Sequence, residues 1–428
     1  MWGSHWTIEL EKRGIPSVFV VGKPFVDDVR VTLEKEGMPS LRSVVVPHPC
    51  GDIPDDQYAT IIPKLIEGLT VPFTEEEKSP KKKVVKSQRV AFRGTLEECN
   101  RFFYERQWTD GLPIIPPTEE AVKDMLKGTH HAPDEVVTTK MFPENCTVTV
   151  EKVAIVGVMS GCKPSYMPVL LAMCEGWGKG NFDSGVRSTN SFAFPIMVNG
   201  PIRNEIEMNS GGNALGPCNQ ANATIGRFLR LAIINLGGSW PGINDMSTQG
   251  SPLKYSFCFA ENEEMSPWEP FHVSAGFKPQ ESTVTMFSGC WSHWGNSSNL
   301  DAIARAIASF QWRNGALIVF EPSVAKQLKA QGMRKQDVEE YIWSHATTTM
   351  KEFKTNWYNF IEPILKGQEM FGEKYIWPAS YLDLPDDAIV QAYPRKYVKA
   401  VVVGSGTMSY AHAWKASYPY TISVDKWR

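Results

Sequence analysis

The sequence predicts an α/β protein in two unequal parts, and three observations carry that reading. Short apolar runs, "PSVFVV" and "RSVVVPHP", alternate with helical patterns over residues 1–72, as buried parallel strands between crossover helices do. A charge-rich stretch, "TEEEKSPKKKVVKSQR", then breaks the pattern. Beyond it, strands, helices and glycine turns follow one another without internal repeat or low-complexity tract.

The first part, residues 1–75, reads as the C-terminal half of an α/β domain. "WTIELEKRG" has a helical period that ends at Gly14; "PSVFVV" follows as a strand. A helix over 25–37 stops at "GMPS", a second strand is "RSVVVPHP", and a helix over 56–68 closes the unit. Two parallel strands with three helices leave the sheet borders without neighbours. An incomplete flavodoxin- or Rossmann-like segment is therefore expected. Residues 76–89 are a linker: an acidic run and then a basic one, with no aromatic residues among the lysines to stack on bases.

The second part, residues 90–428, is expected to be a larger α+β domain holding a substrate pocket. Helix 95–106 leads through "QWTDGLPIIPP" to a helix capped by Thr118, with Glu119 and Glu120 in its first turn. "CTVTVEKVAIVGV" reads as a strand, "SGCKPSYMPVLLAMCEGW" as a glycine turn and helix, and "FAFPIMVNGP" as another strand. "NSGGNALGPCNQANATIGRFLRLAIINLGG" is a Gly/Asn-rich loop feeding a long helix. Strands are predicted at 254–261, 283–288, 315–320 and 398–403, and helices at 298–310, 322–331 and 335–346.

Composition bounds the function. At 428 residues the chain can bury a core without disulfides or metals. A net charge of -3 gives no electrostatic case for nucleic acid or an anionic membrane. The eight cysteines contain no CxxC pair, so a reducing cytoplasm is the expected compartment. No apolar run of about 18 residues is present to span a bilayer. No nicotinamide or flavin motif is visible, and the Gly-rich loop is neither GxGxxG nor a Walker A sequence.

Several residues carry candidate chemistry. Trp108 and Asp110 in "WTDG" suit the wall of a small-molecule site, although Asp-Gly is also ordinary turn chemistry. In the Gly-rich loop, Asn209, Gly211, Gly212, Asn213 and Asn222 bring backbone N–H groups ahead of a helix that carries Arg227. That is a cradle for carboxylate or phosphate, or else a tight packing turn. On "YSFCFAENEE", Glu261 and Glu263 share a face with Tyr255, Phe257 and Phe259, poised to handle protons or to meet solvent. Cys162 follows a Gly turn and precedes a helix, a setting that lowers a thiol pKa; it is either an auxiliary thiol or a buried structural one. Cys290 and His293 in "GCWSHWGN" have metal-ligand spacing but need a second ligand pair.

Taken together, "IELEKRGIPSVFVV…VVVPHP", "RFFYERQWTDGLPIIPPTEEAV", "GCKPSYMPV", "NSGGNALGPCNQANATIGR" and "YSFCFAENEEMSPWEPFHV" resemble, in order and spacing, the UGSC family of selenoproteins and their cysteine homologues. That family is in turn similar to the B subunits of glycine, sarcosine, betaine and D-proline reductases. The resemblance covers roughly residues 1–345 and is weak beyond, apart from "KAVVVGSGTMSYAHAW". The family is named for a selenocysteine or cysteine, Gly, Ser, Cys sequence at a strand-to-helix turn, followed by a helix that Trp2, His5, Thr7, Ile8, Glu9, Leu10 and Glu11 match. The resemblance thus implies a redox motif immediately upstream of Met1, read through a UGA codon, cut off by a misplaced start or carried by another chain; His5, one turn into the helix, is then either a general base or an exposed polar residue.

The function expected is an oxidoreductase-like enzyme whose thiol or selenol attacks a small carboxylate-bearing substrate and is regenerated by a thiol reductant. Asp110, Asn213, Arg227, Glu261, Glu263 and Cys162 would contribute to the pocket. A metal-dependent hydrolase or lyase built on Cys290, His293 and the glutamates is the rival enzyme reading. A non-catalytic subunit of a redox complex is the third. The unfinished sheet predicts a missing N-terminal segment or partner subunit, in a homo- or hetero-oligomer.

Overall fold

The computed structural model describes residues 2–48, 50, 53–78, 88–180, 182–290, 293–295, 298–310, 315–356, 379–393 and 397–428. Residues 2–72 build a small α/β unit in the order α1 (Trp2–Lys12), β1 (Phe19–Gly22), α2 (Val26–Lys35), β2 (Ser43–Val46) and α3 (Asp55–Thr70). The two strands are parallel, with Val20 opposite Val44 and Val21 opposite Val45. Ile8 of α1 and Val29 and Leu33 of α2 bury Val21 from one side, whereas Ile61 of α3 covers Val44 and Val46 from the other. The cover is staggered: Val20 is 44% exposed and Val45 49%. Among the described residues neither strand has a second neighbour, so both sheet borders are open.

The larger body has four layers. One mixed sheet runs in the order β10 (Ser417–Ser423), β5 (Thr283–Ser288), β3 (Ile196–Asn199), β4 (Cys258–Ala260). The other runs β8 (Val398–Val402), β7 (Ala316–Phe320), β9 (Ala411–Lys415), β6 (His293–Gly295). Strand alternation assigns side chains to layers. Met197, Phe259, Phe287, Leu317, Val319 and Val401 meet between the two sheets. Ile196, Val198, Val284 and Met286 point outward to the helices α5 (Val150–Ser160), α6 (Met167–Lys179) and α7 (Gln220–Asn235). Ile318, Phe320, Ala400 and Val402 point the opposite way, to helices Leu300–Ala308, Pro322–Ala330 and Lys335–His345. Helix α4 (Leu96–Glu105) lies ahead of these in the chain and opens with a Thr95–Glu98 capping box.

The α/β class predicted from sequence is the class observed. One predicted element changes type: the segment expected to be a single strand from Cys146 to Val158 is a short strand, Cys146–Thr149, followed by α5. Helix α5 is buried nearly all round, at Val150, Val153, Ala154, Val156, Gly157, Val158 and Met159. Apolar residues on every face erase the period that separates helix from strand. Among the described residues no helix is long and apolar enough to cross a membrane, and none of the eight cysteines forms a disulfide.

Candidate functional site

The "WTDG" segment is a hard turn held against α7. Just past the end of helix α4, Gln107 turns the chain with a φ of 57°, and Gly111 at φ 91° completes the reversal. Asp110 Oδ1 accepts from the Leu112 N–H at 3.3 Å. Arg227 grips the turn with a two-pronged bond, Nε to Asp110 Oδ2 at 2.8 Å and Nη2 to Oδ1 at 2.9 Å, and also donates to the Pro113 carbonyl. About two helical turns later, Asn235 Nδ2 donates to the Trp108 carbonyl at 3.0 Å. Three residues picked from the sequence, Trp108, Asp110 and Arg227, are therefore brought together, with Arg227 engaged by the chain's own carboxylate.

The turn is a ridge between two cavities. On one side is an aromatic hollow of about 660 Å³, lined by Phe92, Phe103, Trp108, Pro116 and Trp240; the Trp108 ring meets Phe103 edge-on, centroids 5.5 Å apart. On the other is a charged cleft of about 790 Å³, lined by Asp110, Arg230, Asp245, Ser247, Lys254 and Tyr255.

Asp245 organises the cleft. Lys254 Nζ donates to both its oxygens at 2.9 Å, Ser247 Oγ to Oδ1 at 2.6 Å, and Arg230 Nη1 to Oδ2 at 3.3 Å. Burial alone would raise the Asp245 carboxyl, but Lys254, Ser247 and Arg230 outweigh it and hold the group below the usual carboxylate range. Burial pushes Lys254 below the ordinary lysine value, and the neighbouring Arg230 pushes it further, against the pull of Asp245. With Asp110 committed to Arg227, two buried cations share one buried carboxylate. The inner wall therefore carries one positive charge in excess, while Glu105 stands at the exposed rim. Such a wall favours an anionic ligand. Sequence reasoning missed Arg230, Asp245, Ser247 and Lys254. The one available signal was Arg230 standing three residues after Arg227, hence on a neighbouring face of the same helix.

The other candidates lie elsewhere. In the Gly-rich loop, Asn209 Nδ2 donates to the Gly212 carbonyl, the Gly211 N–H to Asn209 Oδ1, and Asn213 Nδ2 to the Pro217 carbonyl. Asn222 donates to the carbonyls of Asn209 and Ala214. These side chains are occupied in holding the loop, which packs Gly212 beside Ser405. Glu261 and Glu263 converge on Asn199 Nδ2 at 2.6 and 3.0 Å, and Arg203 Nε reaches Glu263 at 3.0 Å. The strand there is only Cys258–Ala260, so both glutamates lie past its end instead of continuing its face. They line neither cavity.

Cys162 corrects an expectation. Burial pushes its thiol up to about 11, despite a bond from Ser160 and the nearby Arg227. It directly follows Gly161, the left-handed C-cap of α5, and so sits at the negative end of that helix, which opposes a thiolate. Cys290 is fully buried, its thiol pushed up to about 12. The side chains of His5 and His293 lie outside the described residues. Among the described residues no three His, Cys, Asp or Glu side chains gather to hold a metal.

Comparison with known proteins yields one match. No curated protein and no solved structure matches the chain. The model of the UGSC family matches residues 2–72, so it is in the two-stranded α/β unit that this chain carries the UGSC family pattern.

Proposed function

We propose that the protein is an oxidoreductase-like enzyme of the UGSC type, in which a thiol or selenol held at the start of α1 acts on a small carboxylate-bearing substrate. The observation that carries this reading is topological. Helices α1 and α2 cover the same face of the sheet, and β1 lacks a neighbour on its far side among the described residues. Right-handed crossovers on one face add strands in one direction, so a strand feeding α1 belongs on the open border of β1, away from β2. A nucleophile at the turn between that strand and α1 would stand at a helix N-terminus, which stabilises an anionic sulfur or selenium. That strand and nucleophile come from a preceding segment or a partner chain. The kinship with reductase B subunits belongs to the same proposal, as does regeneration by a thiol reductant.

The charged cleft supplies the substrate side of the reading. Arg230 and Lys254 would take a carboxylate, and Asp245 and Ser247 would hold Lys254 in place. Two measurements test the proposal. Peptide mapping of the protein from its native cells should find a Cys- or Sec-bearing strand either ahead of Trp2 or in a co-purifying chain; a native N-terminus at Met1 with no such companion overturns the redox reading. Thermal-shift screening with small carboxylates should raise the melting temperature of the wild type and leave the R230M/K254M variant unmoved. A shift retained by that variant overturns the substrate assignment.

A further inference from the structure

We propose that Cys50 and His48 form a thiol–imidazole pair that performs thiol–disulfide exchange at the carboxyl ends of β1 and β2. The geometry centres on Gly22, the last residue of β1. A Cβ at Gly22 would lie 3.0 Å from His48 Nδ1 and 3.3 Å from Cys50 Sγ, so the imidazole and the thiol crowd one point above the strand end. A side chain at this position would press on both. The Phe25 and His48 rings meet in a T-shaped contact, centroids 5.3 Å apart and planes at 73°. Both side chains are exposed. The pair stands where parallel α/β sheets receive their ligands, at the carboxyl ends of the strands.

Five of the other thiols are set apart by burial. Burial raises the thiols of Cys99, Cys162, Cys174, Cys258 and Cys290. Cys218 is exposed like Cys50, and it provides an internal control. The step needs only a disulfide RSSR as co-reactant. His48 accepts the Cys50 proton, and the thiolate attacks one sulfur of RSSR. The S–S bond breaks, a Cys50–S–SR bond forms, and the departing RS⁻ takes the proton from His48. Cys50 is oxidised and half of the disulfide is reduced. The step draws on residues of this chain alone and does not depend on the nucleophile proposed at α1.

The test is stopped-flow reaction of the native full chain with dithiobis(nitrobenzoate) at pH 7. A fast phase of one thiol is expected, lost in C50S, beside a slower phase lost in C218S. H48N should slow the first about tenfold or more and leave the second unchanged. With oxidised glutathione, peptide mapping should place the mixed disulfide on Cys50. Equal rates for Cys50 and Cys218, or an unaltered fast phase in H48N, overturn the proposal. Should H48N expose buried thiols through misfolding, H48Q takes its place with the same two outcomes.

Discussion

Arg187 of the larger body and Asp28 of the N-terminal unit lie 3.8 Å apart with almost no solvent exposure. The same guanidinium donates to Thr32 Oγ1 at 2.5 Å and to the Pro143 carbonyl, and stands 3.2 Å from Glu144 Oε1. Glu144 accepts from Asn244 Nδ2 at 3.1 Å, and the next residue is Asp245, the centre of the charged cleft. One buried arginine thus joins helix α2 of the unit that carries the family pattern to the wall of the pocket.

Replacing Arg187 by Met should therefore do more than remove a contact, because it takes the neighbouring positive charge from two buried carboxylates, Asp28 and Glu144. A loss of about 3–5 kcal/mol is expected. Denaturant unfolding measures it, and limited proteolysis between residues 72 and 90 should quicken as the small unit loosens. D28N, which leaves Arg187 its other partners, should cost less. An R187M protein within about 1 kcal/mol of wild type would show that the junction rests on other contacts.

The Asp110–Arg227 pair sets the ridge between the two cavities, and its geometry is specific to arginine. A lysine at 227 cannot reproduce the fork or reach the Pro113 carbonyl at the same time. R227K should lose about 1–3 kcal/mol, and D110N a comparable amount. The double variant should be little worse than either single one, since both remove the same interaction. Additive losses in urea unfolding would mean that the two residues act separately.

The sequence made some of this legible and concealed the rest for physical reasons. The helix predicted over 56–68 is found at Asp55–Thr70, and the strand predicted at 283–288 is found at Thr283–Ser288; caps, turns and uniform apolar runs are local signals. Helix α5 was hidden because it is apolar on all sides. Strands β9 and β10 were not predicted: each pairs with residues more than ninety positions away, and the chain passes between sheets at Ala416 alone. At the site, residue types announced Asp110 and Arg227, but nothing in their spacing of 117 residues announced that they bond. Asp245 lies in a loop and Lys254 in the single 3-10 turn Pro252–Lys254, where no period marks the buried face.

Gly404 has a role that a substitution can expose. It follows β8 with φ at 120°, and a Cβ there would fall 2.2 Å from Glu321 Oε1. The Glu321 carboxylate is itself held by the Gly406 N–H at 2.7 Å, so it cannot simply swing away. G404A combines backbone strain with this clash and should lower stability by about 2–4 kcal/mol. G332A, at φ 87° with nothing within 4 Å of its added Cβ, should bear the strain alone and lose less. Equal losses in calorimetry would remove the packing argument.

The buried Lys415 predicts a pH dependence of stability whose sign can be worked out. It is 2% exposed, with Nζ over Gly289 and 5.0 Å from the Phe192 ring centre. Burial pushes its pKa down to about 7, partly opposed by Cys290. In the unfolded chain the same amine holds its proton to an ordinary value of 10.5. Between these limits the unfolded state binds more protons than the folded one, so stability should rise with pH by on the order of 1 kcal/mol per unit. Cys290 acts in the opposite direction at higher pH: burial raises its thiol from 9.0 to about 12, so the unfolded thiol ionises first and above pH 9 its contribution offsets the Lys415 gain. Urea unfolding should therefore show stability climbing from pH 7 to 9, and K415M should flatten the climb while C290A leaves it in place. A wild-type protein whose stability stays level or declines across that interval, or a K415M variant with an unchanged slope, would show that Lys415 keeps its proton in the fold.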